Sequence, residues 1–279
     1  MSELQAHVIF ISVLVLWLTV ESLCGVYTRG TYTNGGFFRM RNLGVVLLGV
    51  ASMLSSRALL AVLVGSGLAW AFPLGLRWID DINVLWIFAG YVLVQDYLHY
   101  WLHRLGHTSH WLWNLHKVHH TPQRMDVTIT FRVPFFFYCL FPSFWLGAAM
   151  TWAGLPEIVL IASTVNVVLS MSVHTSFRWD DYLYRHALTR PFMWLLARII
   201  PTPDTHHYHH NLEGGYKNYG VMFILWDILH GTAAFPRRQV EGFGLFNPED
   251  EDPWYAQVLW PLLTRDSFRR KRSDAVIAD

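Results

Sequence analysis

Residues 96–120 read DYLHYWLHRLGHTSHWLWNLHKVHH. On a helix, at about 100° per residue, Asp96, Tyr100, His103 and His107 fall on one narrow stripe. His103 and His107 are four residues apart, so their rings leave the same face one turn from each other. In HKVHH, His116 faces both His119 and His120. A third cluster, HHYHH at 206–210, repeats that spacing through His206, His209 and His210. Of 15 histidines in 279 residues, eleven lie between His99 and His120 or between His206 and His210. A lone histidine on a helix is usually an isolated polar residue, but three clusters of matching spacing are not explained that way. Neutral imidazole suits iron, zinc, copper and nickel, whereas magnesium and calcium prefer oxygen. Eight imidazoles exceed the roughly four to six ligands one ion takes, so the clusters imply two ions, or one ion and much redundancy. Cys24 and Cys139 sit in apolar runs without ligand spacing and are read as packing residues.

The composition around this stretch is that of a membrane protein. Apolar residues make up 53% and charged residues 15%, with mean hydropathy +0.27. Spanning a bilayer takes about 20 apolar residues, and residues 6–27, 42–72, 83–103, 133–152 and 156–174 are apolar enough to enter one. Glu3 stands where a cleavable signal has a basic start, so 6–27 is read as a retained helix, with Glu21 snorkelling near its end. Residues 42–72 carry Arg57 near their middle. They fit either one tilted helix or a hairpin of two short ones. Gly154-Leu155-Pro156 marks a tight reversal. Two consecutive spans between His120 and His174 return the chain to the side it left, so all three clusters share one membrane face. Arg104, Lys117, Arg124, Arg132, Arg178, Arg185, Arg190 and Arg198 lie there as well, which makes that face cytoplasmic. The FRRKR run at 268–272 reads as a solvated end attracted to anionic headgroups. The expected fold is an all-α polytopic membrane bundle of about four to six membrane helices, with a cytoplasmic helical cap holding a histidine-rich di-metal site. Its expected parts are N-terminal membrane helices over 1–82, a catalytic domain over 83–232 and a tail over 233–279. A net charge of +1 gives no reason to expect nucleic acid.

The order HRxxH, HxxHH, two-span hairpin, HxxHH resembles the fatty acid hydroxylase/sterol desaturase superfamily. Residues 96–120 are similar to its first two boxes. Residues 202–232 are similar to its third box and the segment after it, with TP before HHYHH, then NYG at 218–220 and WDILHGT at 226–232. Weaker similarity begins near Arg41-Asn42-Leu43-Gly44. The resemblance implies a non-haem di-iron centre (zinc being possible in isolated protein). Its ligands would be His103, His107, His116, His119, His120, His206, His209 and His210. His174, in SVHTSF, is a ninth candidate, because the family often has a histidine there. His99 borders the stripe as a pocket residue, while His110, His186 and His207 are not expected to ligate and His230 is read as structural. A metal-bound imidazole usually gives its other N–H to a carboxylate or carbonyl. Asp96 is therefore expected to orient His103 or to accept from Tyr100, and both are taken as catalytic candidates. Asp227 and Asn218 are weaker proposals, and Asp204 is read as a helix cap. Trp101, Trp111 and Trp113 are expected to anchor the membrane interface, a substrate channel being the other reading.

The implied activity is hydroxylation of a lipid C–H bond with dioxygen. The electrons would come from a separate donor, namely a reductase, ferredoxin or cytochrome. Lipid desaturation at the same site is the alternative. A membrane metal transporter is the reading from another class, disfavoured because transporter ligands usually sit near the bilayer midplane.

Overall fold

The computed structural model is all-α and describes residues 3–24, 40–73, 75, 81–212, 217–236, 242–245, 252–253 and 255–263. In chain order the helices are α1 (Glu3–Leu23), α2 (Met40–Ala71), α3 (Val84–Thr108), α4 (His110–His120), α5 (Phe135–Tyr138) and α6 (Pro142–Trp152). They continue as α7 (Pro156–His174), α8 (Trp179–Arg185), α9 (Arg190–Leu196), α10 (Pro203–His210), α11 (Leu225–Leu229) and α12 (Ala256–Leu259). Residues 25–27 of the first expected span and the FRRKR run lie outside the described residues.

Among the described residues, two helices are long and apolar enough to cross a membrane: α2 over Asn42–Ala71, and α7. The expectation was four to six. The ambiguous 42–72 stretch is one continuous helix. The apolar run of α1, Ile11–Leu23, is shorter. Helix α3 has the length, but Gln95, Asp96, His99, His103 and Arg104 make its second half polar. The expected 133–152 span is broken into α5 and α6, and α6 has only 11 residues. Gly154, at φ +84°, turns the chain from α6 into α7, whose first residue is Pro156. Leu16, Leu47, Leu54, Val62 and Leu63 point outward, the apolar exterior that a lipid-facing helix presents.

Packing brings the histidine-bearing ends together. Tyr91 and Val92 of α3 pack on Ile158, Val159 and Ala162 of α7, with Met222 joining them. Helix α2 presses Gly49 against the backbone before α5, where a Cβ would stand 1.8 Å from the Phe131 carbonyl oxygen. No side chain fits there. Ser109, in extended conformation (φ −108°, ψ 129°), separates α3 from α4 and folds the second box back on the first.

Two buried charges fasten the periphery. Glu21 is 0% exposed, so it does not snorkel. Its carboxylate accepts from the Ser176 and Val127 amides at 3.0 and 3.4 Å, tying α1 to the turns after α7 and before α5. Lys117, on α4 and 2% exposed, pairs with Asp252 at 2.9 Å, and Gln257 Nε2 donates to the Asp252 carbonyl. Part of the expected tail is therefore folded: Val258 of α12 packs with Val45 and Val118. Arg132 is also internal, donating to the Val118 carbonyl and to Thr121 Oγ1. Two of the cations counted toward the cytoplasmic assignment are thus consumed inside the fold.

Removing one partner of a buried ion pair leaves the other charge uncompensated. Lys117→Met should therefore destabilise the chain by about 3–5 kcal/mol, and adding Asp252→Leu should recover most of the loss. Thermal unfolding of the purified variants reads this; a single variant as stable as wild type would show that the pair does not hold the segment.

Candidate metal centre

Four chain segments deliver nine buried histidines to one place. The last turns of α3 carry His103 and His107; α4 carries His116, His119 and His120. His174 ends α7, and α10 carries His206, His209 and His210. They divide into two groups, each with its ligand atoms within 4.8 Å of one another: His103, His107, His116, His120 and His209; and His119, His174, His206 and His210. The groups adjoin, since the His120 and His210 rings stack at 4.3 Å between centroids. Every histidine in the expected ligand set lies in one group or the other. Among the described side chains, the remaining histidines lie outside both. His99 packs on Phe141, His207 Nε2 donates to the Thr175 carbonyl, and His230 stacks on Tyr97 and Tyr100.

The hydrogen bonds fix which nitrogens carry protons. A carbonyl oxygen only accepts, so Nδ1 of His103, His174 and His209 must donate to Tyr219 O (2.8 Å), Ser170 O (2.7 Å) and Lys217 O (2.8 Å). Each Nε2 then carries a lone pair. His174 Nε2 nevertheless stands 2.8 Å from His206 Nε2 and 3.1 Å from His119 Nε2. His116–His120 and His206–His210 make Nε2 contacts of 3.1 Å each. Nitrogens bonded at about 2.0–2.1 Å to a shared four- to six-coordinate ion lie roughly 2.8–3.4 Å apart. His103 Nε2 is buried with no hydrogen-bond partner. Converging lone pairs at ligand-edge spacing fit two metal ions, and the all-imidazole donor set fits iron or zinc.

The expected supporting residues act differently. Asp96 accepts from the Met222 and Phe223 amides (2.9 and 3.0 Å) and from Trp226 Nε1 (2.8 Å), binding the 222–226 segment to α3 rather than orienting His103. The Tyr100 hydroxyl meets Thr232 Oγ1 at 3.0 Å and accepts from Arg104 Nη1. Neither residue lines the cavity beside the histidines; their hydrogen bonds hold neighbouring segments of the fold instead. The carboxylate closest in effect to a ligand is Asp227. It accepts from the Tyr219 and Gly220 amides (2.8 and 2.6 Å) and from Thr232 Oγ1 (2.7 Å). It thereby holds the peptide whose carbonyl orients His103. Gly220 allows this approach, because a Cβ there would lie 2.9 Å from Asp227 Oδ2. Asn218, at φ +59°, donates to the Thr205 and Ala234 carbonyls and accepts from the Ala234 amide, clamping α10 to that loop. Asp204 is not the cap of α10: Thr202 holds that position, and Asp204 pairs with Arg178 at 3.2 Å. Trp113, only 1% exposed, packs on His107 and His120, so it is not an interface anchor.

That cavity, of about 150 Å³, extends from His103, His116, His119, His174 and His206 into the bundle. Phe137, Phe141 and Phe144 form part of its walls, together with polar side chains that include Gln95, Ser163 and Asn166.

Burial, and then the neighbouring histidines, hold His119, His120, His206 and His210 well below the ordinary imidazole value. Their neutral form is the ligand form. His207 is depressed to about 3 by burial first and then by Arg178 and His174. These groups are protonated more readily unfolded than folded, so their stabilisation is complete above about pH 6.5 and is lost as pH falls below it. Metal-free protein should show a Tm that drops steadily from pH 7 to pH 5; a flat profile would mean the imidazoles are not held neutral. Asp227→Ala should lower metal affinity about 10- to 100-fold by releasing the Tyr219 carbonyl. Competition against a chelator measures this, and unchanged affinity would remove Asp227 from the site's support.

The fatty acid hydroxylase family model matches residues 88–232, which is more than half the chain and contains all nine histidines. An alkylglycerol monooxygenase of Xenopus tropicalis is 25% identical over 180 residues, covering 62% of this chain and 36% of that protein. The Caenorhabditis elegans alkylglycerol monooxygenase is 27% identical over 192 residues (66% and 35%). A methylsterol monooxygenase of Aspergillus fumigatus is 28% identical over 151 residues (52% and 46%). The matched part is thus less than half the length of each of these relatives. No solved structure matches. With the matched segment beginning inside α3 and ending just past α11, around the histidine centre, the chain belongs to the fatty acid hydroxylase family.

Proposed function

We propose that the chain is a membrane-bound non-haem di-iron oxygenase that hydroxylates a C–H bond of a lipid, with electrons from a separate reductase, ferredoxin or cytochrome. The observation that carries this reading is the convergence of nine buried imidazoles beside a largely apolar cavity. The named relatives are monooxygenases of alkylglycerols and methylsterols, both lipids, which supports the substrate class.

His103, His107, His116, His120 and His209 would hold one ion, and His119, His174, His206 and His210 the other. Bound iron supplies the activation of dioxygen that an unreactive C–H bond demands. The protein's part is to bind, orient and exclude water. The carbonyls of Tyr219, Ser170 and Lys217 keep the Nε2 lone pairs turned inward. Phe137, Phe141 and Phe144 give an alkyl chain an apolar wall and keep water from the reacting carbon. The cations of that face other than the buried Lys117 and Arg132 support a cytoplasmic position for the metal centre.

Purified protein should carry close to two metal ions per chain; one or none would overturn the two-ion assignment. His119→Ala and His209→Ala should each abolish oxidation without preventing membrane insertion, and activity in both would mean the ligands are misassigned. Mass spectrometry of lipids from cells with and without the protein should show a gain of one oxygen. A loss of two hydrogens would identify desaturation instead, and no change in any lipid class would count against both.

A further inference from the structure

We propose that Arg57, together with Asn166 and Ser163 of α7, forms a subsite for an anionic head group, a carboxylate or a phosphate, at the end of the lipid substrate remote from the histidines. This rests on the reading of the histidine centre as a lipid-oxidising site.

Arg57 lies within α2, one of the two helices able to cross a membrane. A charge there is costly and usually marks a functional partner. Among the described residues Arg57 has no hydrogen bond and no ion pair; its guanidinium carbon lies 5.5 Å from the centroid of the Phe144 ring, and it interacts electrostatically with the Tyr91 hydroxyl. It lines the cavity that also touches the histidines, and it is exposed on the outside of the bundle. Arg57 therefore stands at the edge of the cavity, with part of the residue open to the outside of the bundle.

Helix α7 supplies the second observation. Ser163, Asn166, Ser170 and His174 recur at spacings of three, four and four, so they form one stripe, and all four line the cavity. The stripe runs from the metal centre back along α7, away from His174. Near the histidines it is internally satisfied, with the Ser170 carbonyl accepting from His174 Nδ1 at 2.7 Å. Farther on, the side chains of Asn166 and Ser163 make no hydrogen bond with any described residue. Asn166 is eight residues from His174, and Arg57 is eight residues from Gly49, which abuts the Phe131 backbone. Eight residues of helix advance roughly 12 Å. Thr130, next to Phe131, comes within 3.3 Å of His174 Nδ1, so both counts start from one level and the polar groups of the two walls stand at a similar depth, with the Phe144 ring beside Arg57.

A planar, permanently charged guanidinium matches a carboxylate or phosphate by paired donors, and an amide and a hydroxyl can complete the set. An amphipathic lipid would enter with its charged end at Arg57 and its alkyl portion along the aromatic wall. The carbon presented to the metal centre would then be set by its distance from the head group. Phospholipid phosphate has the same chemistry and could reach Arg57 from outside, so the test separates the two sources.

The probes are radiolabelled hexadecanoate and its methyl ester, which share a chain and differ in charge. Binding to the full-length holoprotein in detergent is compared for wild type, Arg57→Gln and Arg57→Lys. Wild type should prefer the acid about tenfold, the strength of one charge-assisted hydrogen bond. Arg57→Gln should bind acid and ester alike, with ester affinity unchanged, and Arg57→Lys should regain part of the preference. A preference that survives Arg57→Gln, or none in wild type, overturns the subsite. In nanodiscs containing phosphatidylglycerol, a variant that loses bound phosphatidylglycerol but keeps its acid-to-ester ratio would assign Arg57 to bilayer lipid and overturn it too. His119→Ala should lose oxidation yet keep the preference. Preference without any lipid oxidation by wild type would sink the functional reading alone, and oxidation without preference would sink the subsite alone.

Discussion

An imidazole that turns its Nε2 lone pair toward a metal must place its Nδ1–H on an acceptor, and in a dry interior that acceptor has to be built in. This requirement organises the molecule. The acceptors seen here are the carbonyls of Ser170, Lys217 and Tyr219. Ser170 lies one turn before His174, so α7 orients its own histidine through the ordinary geometry of a helix. Tyr219 and Lys217 lie on a loop, and a loop carbonyl is only as well placed as the loop.

Much of the polar structure outside the cluster serves to hold that loop. Asp227 gathers the Tyr219 and Gly220 amides, Asn218 joins α10 to Ala234, and Asp96 ties Met222, Phe223 and Trp226 to α3. Each of these buried side chains would be expensive if unpaired. Here each satisfies backbone amides that would otherwise be buried and orphaned, so one bond serves both needs. Orientation at His103 is thereby coupled to the third box: the loop that His103 bonds is the one that Asn218 clamps to α10.

The histidine spacings were legible because a helix places residues three and four apart on one face whatever surrounds it. His103 with His107, His116 with His119 and His120, and His206 with His209 and His210 needed no tertiary information. Residues 156–174 emerged as a helix with its predicted bounds, set by Pro156 and an uninterrupted apolar run. The hydrogen-bond partners of Asp96 differ from those expected, His103 or Tyr100, for a physical reason. The stripe on α3 is real, but period says which face a residue takes and not which partner lies across from it. The partners of Asp96 are 126 to 130 residues away in sequence. The carbonyl acceptors left no trace at all, since every residue has a carbonyl. Glu21 was misjudged likewise: a carboxylate near a helix end usually reaches water, and only the packing of α1 on α7 supplies the Ser176 amide instead.

The same geometry bears on the choice between oxidation and metal transport. A transported ion must leave, so its ligands have to face a path and exchange readily. Nine buried imidazoles, several tied through Nδ1 to fixed carbonyls, would hold an ion by many bonds at once and release it slowly. The surface of the cavity beside them is largely apolar, which suits an alkyl chain. Its polar lining includes Arg57, a positive charge that would repel a metal ion. A resident metal with an amphipathic guest accounts for these features together; a travelling metal accounts for the histidines alone.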